Sequence, residues 1–222
     1  MASKKRVKKR RIKEDQLVTL TVKASQLIQQ YFTQVVIGVV VLIVAVGAVL
    51  VTAHLRRNAA RESEREFALA MSQYNTRDVQ TAATSFARIA DKYGSHDSGE
   101  LSRYFLGKSL LAQGKYEEAL EAFDRYLGKS GEDAPFKAAA VIGKATCLET
   151  LHNFSPAAEL LEQLSQTLDE KDPRYLDVLF QAGRNFEKAG SRDKAIDLYR
   201  RVAEKATGTL KDRASVALAQ IE

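Results

Sequence analysis

The hydrophobic pattern of the chain changes period twice along its length. From Val35 to Val51, 17 residues (VVIGVVVLIVAVGAVLV) carry no charge and no polar side chain, so the segment predicts a helix that is apolar all round. With Thr52 and Ala53 the uncharged stretch reaches 19 residues. That is about 28 Å of helix, set against a bilayer hydrocarbon core of roughly 30 Å. Before it, Leu17, Leu20, Ala24, Leu27, Ile28 and Tyr31 recur at three- and four-residue steps, the mark of an amphipathic helix. After it, no glycine occurs before Gly94 and no proline before Pro135. The apolar helix is therefore expected to continue through residues 56–74 as a stalk that becomes the first helix of a following domain.

Beyond residue 55 the pattern repeats. Ala82, Ala119, Ala157 and Ala195 are spaced 37, 38 and 38 apart, and Phe86, Phe123, Leu161 and Tyr199 each follow by four residues. Twelve residues before the alanines stand Ala70, Gly107, Ala145 and Gly183. A fixed period of this size predicts stacked supersecondary units. Each unit reads as two amphipathic helices joined by a short turn such as Gln113-Gly114-Lys115 or Ala189-Gly190-Ser191. The small residue of the first helix is expected to face the alanine of the second, with the bulky residue filling the seam one turn later. Ser155, before Pro156, and Asp172, before Pro173, are expected to cap helices. A closing helix over residues 210–221 completes an all-α layout: a tail at 1–34, a transmembrane helix at 35–54, and at 55–222 a solenoid of about four hairpins.

Leu106-Gly107, Gly114, Tyr116, Ala119 and Phe123, and again Gly183, Gly190, Ala195 and Tyr199, resemble the tetratricopeptide repeat (TPR) signature. Arg192, where Tyr116 and Phe154 predict an aromatic, and Lys144, where Leu106 predicts a leucine, depart from it. The resemblance implies an α-solenoid that binds proteins. The layout as a whole resembles YfgM-type ancillary subunits of the bacterial Sec translocon, and the repeat domains of periplasmic cell-division and envelope-assembly coordinators.

Charge adds orientation. Residues 1–34 carry nine Lys/Arg against Glu14 and Asp15, a net of +7, whereas the other 188 residues carry a net of −1. This asymmetry predicts a cytoplasmic N-terminus, an uncleaved anchor in a bacterial inner membrane, and a periplasmic C-terminal domain. Eight of the ten residues from Lys4 to Lys13 are basic. Setting topology accounts for that cluster; docking to anionic lipid or to the ribosome is the alternative.

Candidate chemistry changes the picture little. His54, His96 and His152 have no partner at metal-ligand spacing, and Cys147 sits in an apolar helical run with no base spaced to activate it. No glycine loop cradles a phosphate. Neither enzymatic activity nor a cofactor or metal is expected. Binding is expected on the first helices of the units, where helical phase points Arg103, Lys108, Thr146, Glu149, Gln181, Arg184 and Glu187 toward the concave face. The family's carboxylate-clamping variant sets clustered Lys and Asn there. Only Lys108 and Arg184 answer to it, with no Asn beside them, so an extended or unfolded polypeptide is expected rather than a chain terminus. The expected role is a scaffold holding translocated polypeptides or chaperones at the Sec exit. An adaptor of an envelope or division complex is the alternative, and tail-mediated ribosome or lipid docking a second.

Overall fold

Helices joined by tight turns account for the chain in a computed structural model. It describes the backbone of residues 3–131 and 134–222, and the side chains of residues 31–131 and 134–222. The helices are α1 (Ser3–Asn75), α2 (Val79–Lys92), α3 (Asp97–Ala112), α4 (Tyr116–Leu127), α5 (Lys137–Thr150), α6 (Phe154–Thr167), α7 (Tyr175–Lys188), α8 (Arg192–Lys205) and α9 (Gly208–Ile221). Two units divide the chain, Met1–Asn58 and Ala59–Glu222.

In the first unit, part of the stretch Tyr31–Asn75 is long and apolar enough to cross a membrane, and none of that window is buried against protein. Val41, Leu42, Ile43 and Val44 are all exposed. Tyr31 and Phe32 are exposed as well. The basic cluster at 4–13 and the amphipathic positions from Leu17 to Ile28 fall outside the residues whose side chains are described.

The second unit is a row of hairpins: the end of α1 with α2, then α3 with α4, α5 with α6, and α7 with α8, closed by α9. The turns inside the four hairpins share one geometry. Arg77, Gly114, His152 and Gly190 all have positive φ, between 61° and 79°. The residue after each donates its N–H five residues back: Asp78 to Gln73, Lys115 to Leu110, Asn153 to Leu148 and Ser191 to Phe186, at 2.8–3.0 Å. This is the Schellman ending, which satisfies the last carbonyls of one helix and passes the chain directly into the next. The handover corrects one expected cap. α6 begins at Phe154 with Asn153 at the cap position, so Ser155 lies inside the helix and its hydroxyl donates to Glu159. Asp172 is likewise not a helix cap: α7 begins at Tyr175, and the Asp172 carboxylate accepts from the Arg174 N–H and guanidinium in the preceding loop.

The twelve packing positions Ala70, Ala82, Phe86, Gly107, Ala119, Phe123, Ala145, Ala157, Leu161, Gly183, Ala195 and Tyr199 are all buried. The bulky residues meet the small ones directly. A Cβ on Gly107 would stand 2.8 Å from the Phe123 ring, and one on Gly183 2.9 Å from Tyr199. α9 buries Ala214 and Ile221 against the last hairpin, with Leu210, Ala217 and Leu218 packed beside them. Its other face is mostly polar, with Val216 exposed, as suits a helix that ends a stack.

Candidate protein-binding surface

The expected binding residues sit on α3, α5 and α7, and the structure places them in different settings. On α5 and α7, Glu149 and Arg184 come together. One carboxylate oxygen of Glu149 accepts from Arg184 at 2.6 Å and from Lys188 at 2.7 Å, while the other accepts from the Asn185 amide at 3.3 Å. Burial works against the charged form of Glu149. The Lys188 hydrogen bond, the Arg184 charge and the Asn185 hydrogen bond outweigh it and hold the carboxyl below its usual range. The cluster thus joins two neighbouring units through a half-buried carboxylate with two cations around it. Gln181 lies one turn back and accepts the Asn185 amide on its backbone oxygen at 2.9 Å. Glu187 accepts the Tyr199 hydroxyl at 2.6 Å, and burial together with that bond pushes the Tyr199 phenol above its usual range. The Thr146 hydroxyl is turned onto its own helix, donating to Ile142.

On α3, Lys108 lies 5.8 Å from the Tyr74 ring centre and 5.9 Å from that of Tyr104. It forms a cationic post between two aromatic faces. Arg103, expected beside it, is instead buried at 7% exposure, and its Nη2 donates to the carbonyls of Ala90 and Gly94. This corrects its assignment to the open concave face. The side chain turns back under the end of α2, where a bare Gly94 leaves it room; a Cβ there would stand 2.4 Å from Nη2.

Two participants were missed from the sequence. Asn185 directly follows Arg184 and is fully buried with its Oδ1 unpartnered, so the expectation that no Asn accompanies Arg184 fails. Lys188 lies one turn beyond Arg184 and spreads over the Phe154 ring at 5.3 Å. The signal for Lys188 was the four-residue step from Arg184, and for Asn185 the four-residue step from Gln181, each pair on one face of the helix.

Among the described residues, no group of three or more His, Cys, Asp or Glu side chains is placed to hold a metal ion. Cys147 is buried, and burial pushes its thiol up to about 11. The surface therefore offers charge pairs, hydrogen-bonding groups and aromatic faces on successive first helices. Such groups suit the recognition of another polypeptide.

Comparison with known proteins agrees with that geometry. Two family models described as tetratricopeptide repeat match the chain, one over residues 67–138 and 104–173 and the other over residues 177–207. Nearly identical TPR-like repeats from Podosopora anserina superpose with a TM-score of 0.59 at 19% identity, covering 73% of this chain and 86% of that one. YrrB, a TPR protein with an unusual peptide-binding site, gives a TM-score of 0.57 at 20% identity over 70% of this chain and 75% of its own. MamA gives a TM-score of 0.57 at 16% identity over 68% of this chain and 81% of its own. No curated protein matches the sequence. With the hairpin turns, the packing columns and the family matches in agreement, the chain is a member of the tetratricopeptide repeat family.

Proposed function

We propose that this TPR array is a membrane-anchored scaffold that binds polypeptides or their chaperones on the far side of a bacterial inner membrane, at the exit of the Sec translocon. The observation that carries the reading is the Glu149–Arg184–Lys188–Asn185 cluster joining α5 to α7. Arg184 and Lys188 are part-exposed beside the Glu149 carboxylate, so cationic donors and an acceptor share one surface. A site for a single anionic group would instead present donors alone. Lys108 between Tyr74 and Tyr104 adds an apolar and cationic contact on α3. Together they suit an extended chain with mixed side chains.

The anchor is the uncharged helix from Val35 to Ala53, and the basic tail before it supports a cytoplasmic N-terminus. The Sec assignment rests on this layout and on the resemblance that it carries. The test is photo-crosslinking in the full-length protein within its own membranes, with the reactive side chain at Lys108 and at Arg184. Adducts to translocon subunits, chaperones or many secreted chains support the proposal. A single discrete envelope or division protein replaces it with an architectural role. Adducts only to the protein itself remove the polypeptide-binding reading.

A further inference from the structure

A second charged site lies away from the Glu149 cluster, in the groove between α2, α3 and the end of α4. The groove has a volume of about 690 Å³, and Arg103, Arg125 and Lys129 are among the residues that line it. These three positions recur in every hairpin at the repeat spacing. In the first hairpin they are Glu66, Arg88 and Lys92; in the third, Val141, Gln163 and Thr167; in the fourth, Leu179, Arg201 and Lys205. The first hairpin shows what the arrangement does when its charges balance. Glu66 pairs with Arg88, lies 3.5 Å from Lys92 and accepts the Tyr93 hydroxyl at 3.1 Å. There the chain itself supplies a carboxylate to two cations.

In the second hairpin the cations at the equivalent positions remain, and the carboxylate is replaced by Arg103. Nothing in the fold requires a cation at this position, since Leu179 occupies it in the fourth hairpin and is fully buried. Capping of α2 explains why Nη2 of Arg103 donates to Ala90 and Gly94, but Nη1 has no hydrogen-bond partner among the described residues. Nor does Arg103 form an ion pair with any described carboxylate. Among the described residues Arg125 holds only Glu121, at 2.6 Å, and both side chains are more than half exposed. Such a pair is weak and readily exchanged. A buried, uncompensated guanidinium is unfavourable unless a counter-charge approaches it.

We propose that this groove binds a carboxylate of a partner polypeptide, seated against Arg103, Arg125 and Lys129 in the place that Glu66 fills one hairpin earlier. The carboxylate comes from an Asp or Glu side chain or from a chain terminus. Charge favours it, since Lys92, Arg103, Arg125 and Lys129 line the groove against one carboxylate, Asp91; precedent does too, since the same two cationic positions already hold a carboxylate in the first hairpin.

The test uses the full-length protein in phosphatidylcholine nanodiscs at about 0.15 M salt, where attraction to the distant basic tail is screened. Two labelled peptides serve as probes. One is a Glu/Ser hexapeptide blocked at both ends; the other is its Gln/Ser counterpart with a free C-terminal carboxylate. Binding of the first marks a side-chain source, and binding of the second a terminal one; either supports the site if Arg103→Glu weakens it roughly tenfold or more. Arg103→Glu recreates the Glu66 arrangement, so the hairpin has a precedent for accepting it. Arg125→Glu combined with Lys129→Glu changes only exposed side chains and is expected to weaken binding as strongly. Equal binding by the wild type and both variants, or no binding of either peptide, overturns the proposal. Glu132 and Asp133 follow closely in sequence, and the double substitution Glu132→Gln, Asp133→Asn tests them as occupants. Binding that appears only in that variant assigns the groove to the chain's own loop and also overturns the proposal.

Discussion

The ring of Phe123 stands 2.6 Å from where a Cβ on Gly143 would lie, so α5 approaches α4 this closely only because Gly143 has no side chain. The same ring leaves only 2.8 Å for a Cβ on Gly107. One fully buried aromatic ring is thus enclosed by glycines of its own hairpin and of the next. Contact within a unit and contact between units converge on a single side chain.

Gly143→Ala is expected to destabilise the array. Alanine favours a helix over glycine by about 1 kcal/mol, while forcing a methyl group into a filled core costs about 1–3 kcal/mol. Overpacking wins because the neighbour is a buried ring with no room to retreat, for a net loss of up to about 2 kcal/mol. Chemical denaturation of the full-length protein in detergent, wild type against variant, measures it; equal midpoints would refute the close packing.

The shared turn geometry predicts opposite effects at equivalent positions. Arg77 and His152 hold the left-handed conformation that Gly114 and Gly190 hold without a Cβ penalty. His152→Gly is expected to change stability by no more than about 1 kcal/mol, toward greater stability, since relief of the strained φ exceeds the added freedom of the unfolded chain. Gly190→Ala is expected to lose about 1 kcal/mol. Thermal melts of the two variants should move in opposite directions.

Glu149 links stability to pH. Its folded pKa lies below the ordinary value near 4.3, so its contribution is fully present above that value and is lost as pH falls through the lowered folded pKa. Glu149→Gln is expected to lower stability by about 1–2 kcal/mol at neutral pH, because Arg184 and Lys188 lose a charged acceptor. Below about pH 4 the gap between variant and wild type should narrow. A constant gap across the acid range would exclude the network as its cause.

Cys147 reports on unfolding. Its burial and a thiol pushed up to about 11 leave almost no accessible thiolate at pH 8. A maleimide reagent is expected to label it at a rate set by opening of α5, and at full speed in denaturant. Fast labelling of the native protein would show that α5 opens readily.

How much of this was legible in the sequence depends on how local each contact is. The twelve packing positions could be read because each hairpin repeats the same burial problem, and the repetition reveals the solution as a column of residues. The all-helical layout and the hairpin turns at Gly114 and Gly190 followed in the same way. Gly143 stood two residues from the column position of Ala145, and its role comes from the neighbouring hairpin's Phe123, so no spacing within a unit pointed to it. Asn185 was passed over although it stands beside Arg184, because its partner Glu149 lies 36 residues away. The common turn at Arg77 and His152 was concealed by the absence of glycine, since residues other than glycine can adopt positive φ when the surrounding hydrogen bonds enforce it.

The sequence by itself determined the helical repeats, their period, the small and bulky residues that meet in each hairpin, and a helix apolar enough to cross a membrane. All of these are periodic in a single chain, and apolar burial follows period. Only the tertiary structure decided where the charges went. Arg103 is buried under α2 rather than open on a concave face, and Glu149 gathers Arg184 and Lys188 from the next hairpin. A charged side chain is long and has no fixed face, so its place is set by whichever carbonyl or countercharge the packed neighbours bring within reach.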